Sequence, residues 1–461
     1  MNVIKKLFEP TDMTVGKPWK NIVVFTIPML IGNIAQQLYN TVDSIVVGKY
    51  VGDNALAAVG SAGPILNLLL VLFIGISMGA SIMVAQYFGA KDREELSGTI
   101  GNCIVLTAIA TVIIMALSLL IVRPLLRLLH TPDSIIEWCA SYLTILFMGV
   151  VGVAYYNILS GILRGLGDAV SALAYLLVAT VLNIVLDLLF VAGFKMGVNG
   201  VALATIIAQG VSAVLCFWKL LHMSDLFTLN RRCLKLTRTH AIDIIRLGLP
   251  SGITQAIFSM AMIIVQSLTN SFGELFIAAN VIVMRVDGFA MMPNFSFGTA
   301  MTTYSGQNVG ARKYDRVEKG ARQGTLIAAG TAACITGLIL LFGRSLMGIF
   351  TNTSQLVDLS MRMMCILAVG YIAMGVTQSL SGVMRGAGDT ITPMWISLLT
   401  TVVIRVPLAY GIAYFTRTSS LPNGRPESIF ISLLFSWLIG AVITVLFYRK
   451  GKWKKKSLEH V

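Results

Sequence analysis

Charged residues are scarce in this chain, and their scarcity argues against a soluble protein. Asp, Glu, Lys and Arg together make up 12% of the 461 residues, whereas soluble domains typically carry about 25%. Cysteine and histidine are also few, at six and four residues. The cysteines are far apart and form no Cys-x-x-Cys or Cys/His cluster, so neither a disulfide framework nor a metal or cofactor site is expected. A membrane-embedded enzyme would need such a constellation, or clustered acids at one interface, and is disfavoured.

Apolar runs fill most of the chain. Hydrophobic residues make up 56% of it, and runs of about 20 apolar residues, long enough to cross a bilayer, recur from end to end. These runs predict an all-α polytopic membrane protein, because a helix satisfies its own backbone groups in lipid. Twelve spans are expected, at about 20–46, 55–87, 96–121, 135–158, 169–193, 200–222, 240–270, 276–306, 317–342, 355–380, 391–415 and 428–449.

Lysine and arginine are distributed unevenly between the segments that connect these spans. If the N-terminus is cytoplasmic, the inner segments hold 25 of the 35 and the outer loops hold eight. The positive-inside rule then places both termini in the cytoplasm and the protein in the cell membrane. The formal net charge of +14 follows from this topology and needs no nucleic-acid partner. The basic central loop and C-terminal tail are expected to contact membrane lipids.

The two halves of the chain repeat at a constant offset of 221 residues. Gln86-Tyr-Phe-Gly-Ala-Lys91 aligns with Gln307-Asn-Val-Gly-Ala-Arg312, and the segment 159–168 aligns with 380–389. Six spans in each half make the repeat parallel, as in secondary transporters built from two pseudo-symmetric lobes around a cavity. The predicted domains are an N-terminal lobe (1–222), a cytoplasmic inter-lobe loop (223–239) and a C-terminal lobe with a basic tail (240–461).

Polar residues mark one face of the first span. Gln36, Asn40 and Asp43 are spaced i, i+4, i+7, so they share one side of a helix. A carboxylate at membrane depth costs about 2.5–3.5 kcal/mol on insertion scales, which makes Asp43 a functional candidate. The alternative is a buried aspartate whose amide neighbours satisfy it.

The fifth span carries a similar face, formed by Thr180, Asn183 and Asp187. The first and fifth spans run in the same direction, and Asp43 and Asp187 both lie towards the outer ends of their spans. We therefore expect the two carboxylates at similar depth in the N-terminal lobe, as a site that handles protons or other cations. Two independent, locally satisfied residues are the alternative.

The eighth span contains a charged pair and several methionines. Arg285 and Asp287 are two residues apart, so they do not share a helical face. These two residues could neutralise charge inside the C-terminal lobe, or they could take part in coupling. Met291 and Met292 are candidates for lining an adaptable hydrophobic cavity that holds the substrate. Further candidates for the substrate cavity are Asp287 and, from the polar faces of the first and fifth spans, Gln36, Asn40 and Thr180.

The repeated Ser-Gly-x-x-Arg-Gly-x-Gly-Asp segments lie at cytoplasmic ends of spans. Arg164 with Asp168, and Arg385 with Asp389, are expected to pair across a turn and to act as gate or hinge elements. Simple loop geometry is the alternative, and nucleotide binding is rejected because no strand precedes the glycines. Pro28, inside the first span, removes a backbone hydrogen bond and is a further hinge candidate.

These features in combination resemble the multidrug and toxic compound extrusion (MATE) transporters. The resemblance rests on the two-lobe, twelve-span plan, on Ile27-Pro28 opening the first polar span, and on the repeated Gln-x-x-Gly-Ala and Arg-Gly-x-Gly-Asp segments. In the DinF-like prokaryotic branch, an Asp in the first span and an Asn-x-x-x-Asp in the fifth bind protons, and in some members sodium. The resemblance implies a coupling site at Asp43, Asn183 and Asp187.

A second bacterial branch of that family uses acids in the seventh and tenth spans. Here the middles of those spans contain none, so a sodium site of that type is not expected. The implied function is a multidrug antiporter that exports amphipathic, mostly cationic compounds in exchange for protons or sodium. We expect it to act as a monomer. A lipid or lipid-linked sugar flippase with the same plan is the main alternative, although only Arg285 and Arg405 would supply positive charge within the spans.

Overall fold

The structure is a computed structural model, and it describes residues 8–128, 131–419 and 421–456. These ranges are helical throughout, apart from the connecting segments and one isolated bridge between Thr418 and Leu421. The predicted all-α fold is confirmed.

The described part of the first half of the chain contains seven α-helices. In order they are α1 (Pro18–Tyr50), α2 (Asp53–Ala90), α3 (Arg93–Leu128), α4 (Asp133–Met148), α5 (Val150–Gly165), α6 (Ala169–Asp187) and α7 (Gly197–Leu221). A single π-helical turn, Leu188–Gly193, continues α6 directly after Asp187. Such wide turns are rare and occur often at functional sites.

The second half has a matching series of helices. They are α8 (Arg238–Asn270), α9 (Glu274–Gly310), α10 (Tyr314–Gly348), α11 (Ser354–Leu367), α12 (Gly370–Gly386), α13 (Ile391–Leu398), α14 (Arg405–Phe415) and α15 (Ser428–Arg449). A π-helical segment, Leu399–Ile404, joins α13 to α14. The short 3₁₀-helix Lys452–Lys455 follows α15.

Ten of the described helices are long and apolar enough to cross a membrane alone, and two bent helix pairs bring the total to twelve. The first pair, α4 and α5, is bent by 53°, and the second, α11 and α12, by 45°. They correspond to the predicted spans 135–158 and 355–380. The chain is therefore a multi-pass membrane protein.

Contacts between residues divide the chain into two units. Among the described residues, the N-terminal unit contains 8–12 and Ile31–Gly252, and the C-terminal unit contains Met13–Leu30 and the chain from Ile253 to residue 456. The chain first changes units between Asp12 and Met13, before α1. The two later crossings fall inside helices, α1 and α8, shortly after a proline, Pro28 and Pro250 respectively. The sequence-based domain boundary in the loop 223–239 remains a prediction.

Glycines bring corresponding helices close together within each unit. A Cβ atom added at Gly165 in α5 would lie 2.7 Å from the carbonyl oxygen of Ser81 in α2, and one at Gly386 in α12 would lie 2.2 Å from that of Thr302 in α9. Each residue of the second pair follows its counterpart by 221 positions. The internal repeat is thus also a repeat in helix packing, and small residues permit it as they do in other membrane bundles.

Candidate cation and substrate sites

Two acidic side chains meet inside the N-terminal unit. Asp43 comes from α1 and Asp187 from the end of α6, and their carboxyl groups lie close enough to interact with one another. Asp43 is 9% exposed, while Asp187 and Asn183 are 0% exposed. Asn183 is on the turn of α6 preceding Asp187, where the i, i+4 spacing places it on the same face. The structure therefore brings together the three residues proposed from sequence as a coupling site.

Most polar atoms of this cluster lack a hydrogen-bond partner in the part of the chain that the structure describes. Within the ranges that the structure describes, Oδ1 of Asp43, both carboxyl oxygens of Asp187 and both amide atoms of Asn183 are buried without a hydrogen-bond partner. Two ionised carboxylates can only accept hydrogen bonds, so each makes the burial of the other more costly. A proton shared between them, or a hard cation bound by their oxygens, would remove that cost.

Hydroxyl groups from three helices surround the acidic pair. Tyr39 of α1 lies beside Asp43 with its hydroxyl close to that of Thr205 of α7, and Tyr142 of α4 approaches both acids. Tyr39 is four residues before Asp43, so helical spacing alone could have indicated it. Tyr142 and Thr205 are on other helices and carry no such signal.

The remaining polar residues of the two predicted faces lie outside this cluster. Asn40 is exposed and Gln36 is half-buried. The hydroxyl of Thr180 is buried but donates to the carbonyl oxygen of Leu176 at 2.9 Å, within its own helix. The side of α1 that is buried against the acids is therefore the Tyr39–Asp43 side rather than the Asn40 side.

Asp287 of α9 interacts with two side chains inside the C-terminal unit. The hydroxyl of Tyr371 donates to its Oδ1 at 2.9 Å, and the guanidinium of Arg405 lies close enough to interact with its charge. Arg285 is exposed, in agreement with the different face expected for it. Arg405, which sequence reasoning had not linked to Asp287, is the basic group that offsets this acid.

A cavity of about 300 Å³ opens beside Asp287. Its lining lies wholly in the C-terminal unit and combines Asp287 and Arg405 with apolar side chains, among them Met291, Phe295 and Trp437. The predicted cavity residue Met291 is thus in the lining. Met292, its neighbour, is half-buried and is not among the lining residues.

The repeated Arg-Gly-x-Gly-Asp segments form helix caps. Asp168 accepts hydrogen bonds from the backbone nitrogen of Ser171 at 2.9 Å and from its hydroxyl at 2.6 Å. Asp389 accepts from the same two groups of Thr392, at 3.2 and 2.7 Å. Both aspartates therefore satisfy backbone donors at helix starts, the usual role of an N-cap.

The expected pairing of Arg164 with Asp168 is not what the structure contains. Asp168 lies 3.8 Å from Nζ of Lys219, whereas Arg164 donates to the hydroxyl of its neighbour Ser160 at 3.3 Å. The side chain of Arg385 is half-buried, and its Nε is buried with no acceptor among the described residues. Both aspartates accept hydrogen bonds at helix starts, so the predicted Arg–Asp pairs are wrong. Loop geometry, the alternative, explains this part of the motif.

A substitution pair separates capping from gating at these positions. Asp168→Ala should lower the free energy of unfolding by about 1 kcal/mol, because it removes an N-cap acceptor, whereas Asp168→Asn should retain most of it. Thermal unfolding in detergent measures the difference, and Asp225→Ala in the same unit is the control. If Asp168→Asn folds normally but loses transport, the carboxylate itself takes part in gating and the capping explanation is insufficient.

Pro28 lies within α1, which continues through it to Tyr50. Proline cannot donate a backbone hydrogen bond, so this turn of the helix is held by fewer bonds than its neighbours. The chain passes from the C-terminal to the N-terminal unit between Leu30 and Ile31. The hinge prediction therefore concerns the part of α1 where the chain changes units.

The helical membrane fold, its two repeated halves and the buried acidic cluster define a polytopic transporter. The chain belongs to the MatE family: the family model matches residues 28–189 and 250–411, one segment in each half. Members of this family are transporters, so the enzyme alternative is excluded.

Relatives and solved structures agree with this assignment. The chain is 30% identical over 448 residues to the probable multidrug resistance protein YpnP of Bacillus subtilis, covering 97% of this chain and 98% of the relative. It is 29% identical to the probable multidrug resistance protein YoeA of the same organism, with 95% of each chain covered. A crystal structure of a MATE protein in the straight conformation matches with a TM-score of 0.89 at 27% identity, covering 97% of this chain and 99% of that one.

Proposed function

We propose that this protein is an antiporter of the cell membrane that exports amphipathic, mostly cationic organic compounds in exchange for protons, or for sodium. The observation that carries the proposal is the pair of buried carboxyl groups, Asp43 and Asp187, with Asn183 beside them. In the described chain, neither carboxyl oxygen of Asp187 nor Oδ1 of Asp43 accepts a hydrogen bond. The names of the relatives, which are multidrug resistance proteins, support organic drugs as substrates.

The chemistry of the acidic pair suggests how exchange would work. The pair needs positive charge nearby, because two ionised carboxylates at close range in a buried site repel one another. A proton, a sodium ion or a cationic substrate would each supply that charge, and each would weaken the binding of the others. Uptake of a proton from outside would therefore favour release of the substrate, and loss of the proton inside would restore the negative charge.

The membrane potential and the pH gradient can together drive such a cycle. Moving one elementary charge through 100 mV supplies about 2.3 kcal/mol, which corresponds to roughly fiftyfold in concentration. One proton per cycle could therefore sustain useful efflux of an uncharged substrate. One-for-one exchange with a monovalent cation moves no net charge, so the pH gradient drives it, at about 1.4 kcal/mol or tenfold per pH unit. Alternation between outward and inward access would use the bendable turn at Pro28, so that the charge state of Asp43 affects the shape of its own helix.

The C-terminal cavity is proposed as a second part of the substrate path. Its methionine and aromatic side chains offer a deformable apolar surface, and the charge of Asp287 is offset by Arg405. This cavity would hold the apolar portion of a substrate against Met291. The distribution of lysine and arginine supports cytoplasmic termini, and we propose that a single chain forms the working transporter.

A gradient experiment tests both the exchange and the ion. The purified protein is placed in liposomes, and movement of a cationic fluorescent dye is recorded under an imposed pH gradient and, separately, under an imposed sodium gradient. We expect the pH gradient to drive dye movement that empty liposomes do not show. Dependence on sodium alone would replace the proton as the coupling ion, and independence of both gradients would overturn the antiporter.

A further inference from the structure

A second cavity in the C-terminal unit, of about 550 Å³, is not used by the proposed transport cycle. It lies between the beginning of α10, the end of α15 and the segment that follows α15. Three basic side chains line one part of it, and apolar side chains, including Leu326, line another. The cavity therefore combines positive charge with an apolar wall.

The position of these side chains along their helices matches the edge of a membrane. α10 has 35 residues and would be about 52 Å long, well beyond the roughly 30 Å of the hydrocarbon layer. Its first turns are polar, and Arg322 lies near the end of that polar part, one turn before the 64% exposed Leu326. In α15, Val445 precedes Arg449 by one turn. The charges thus fall at headgroup depth and the apolar wall at acyl-chain depth.

The segment after α15 is fixed in place rather than free. Trp453 is 1% exposed, its indole nitrogen donates to the carbonyl oxygen of Tyr448 at 3.0 Å, and its ring stacks on Tyr448 with 5.4 Å between centroids. Gly451, with φ of +68°, allows the chain to turn back after α15. This fold holds Lys454 at the cavity, where it pairs with Glu318.

The cavity carries excess positive charge. Its lining contains Arg322, Arg449 and Lys454 but only one acid, Glu318, which is already paired with the lysine. Neither arginine forms an ion pair with any residue that the structure describes. The hydroxyl of Thr325, also in the lining, is buried without a hydrogen-bond partner in the same ranges. An anionic group with several acceptor oxygens would accept hydrogen bonds from these donors.

We propose that this cavity binds an anionic phospholipid. Its phosphate would accept hydrogen bonds from the two guanidinium groups, which suit a phosphate because they can donate in pairs. One acyl chain would lie along Leu326 and Val445. A phospholipid fits better than a free phosphate because the apolar wall is continuous with the basic part of the same cavity. The site would face the inner leaflet. This orientation rests on the proposed topology but not on the proposed transport cycle.

Lipid titration tests the site without any transport assay. Binding of phosphatidylglycerol and of phosphatidylcholine to the purified protein in detergent is measured by native mass spectrometry. We expect preference for phosphatidylglycerol and a loss of roughly fivefold in affinity for each arginine removed, since a basic residue near an anionic surface contributes about that factor. Arg322→Gln, Arg449→Gln and their combination are compared with the wild type.

The combination of Lys455→Gln with Lys456→Gln is the matched control. It also removes two positive charges, but from positions next to Lys454 that do not line the cavity. An equal loss in this control and in the double arginine variant would overturn the site in favour of diffuse attraction. Equal binding of both lipids would also overturn it. Competition by inorganic phosphate at equal concentration would show a free-anion site instead of a lipid site. Thermal unfolding without lipid verifies that each variant is folded.

Discussion

Asp187→Asn is expected to abolish gradient-driven efflux while the protein stays folded. The substitution keeps the shape of the side chain and removes the charge that faces Asp43. Asp43 is then the only carboxylate of the pair. Without a second negative charge beside it, its affinity for a proton or another cation falls. The free energy of the ion gradient would therefore no longer be coupled to movement of the substrate. Asp43→Asn should have the same effect.

Dye efflux from cells and from liposomes measures the loss, and we expect at least a tenfold decrease in the gradient-dependent rate. Asp315→Asn is the matched control, since it removes one carboxylate from an exposed position at the start of α10. Dye binding adds a second readout. Acidification should displace the dye from the wild type but not from the Asp187 variant. Wild-type efflux in both aspartate variants, with normal folding, would contradict the coupling site.

Gly386→Val should have the largest effect on stability. A Cβ atom at this position would lie 2.2 Å from the carbonyl oxygen of Thr302, and a backbone atom inside a packed helix cannot rotate away as a side chain can. Overpacking of a membrane core typically costs about 1–3 kcal/mol, and we expect the upper end of that range or beyond. The counterpart Gly165→Val in the other unit should behave similarly, since its contact with Ser81 is equally a backbone contact.

Thermal unfolding in detergent, together with the yield of monodisperse protein, measures this destabilisation. Gly330→Val serves as the control: it lies inside α10 of the same unit, and a Cβ atom there would meet nothing within 4 Å. If Gly386→Val and Gly330→Val unfold at the same temperature, the close approach of α9 and α12 does not limit the stability of the C-terminal unit.

Much of the fold could be predicted because its causes are local in sequence. Apolar length predicts spans, and the repeat predicts two similar halves. The approach of Asp43 to Asp187 could be anticipated from helical spacing and from equal depth. The surrounding hydroxyls of Tyr142 and Thr205 could not, because no local pattern indicates which faces of four helices turn towards one point.

Other features depend on packing and left little trace in the sequence. The bend between α4 and α5 falls at Gly149, where a Cβ atom would lie 2.5 Å from Ile206. The bend between α11 and α12 falls at Ala368-Val369, which contains neither glycine nor proline. The expected Arg164–Asp168 pair was wrong because spacing shows which groups can meet but not which competing partner, here a backbone nitrogen, binds more favourably.

The division of α1 between the two units has a consequence for how the chain is made. The backbone around Met13 is bound by Gln307, at 2.8 Å, and by Arg316, which are synthesised almost 300 residues later. At about 5–20 residues per second, the first segment must wait roughly 15–60 s for these partners. The N-terminal half can reach most of its own contacts during translation, whereas the C-terminal unit cannot be completed by its own half of the gene. Separately expressed halves cut at 222/223 should therefore yield a C-terminal fragment that lacks part of its own core until residues 13–30 are supplied.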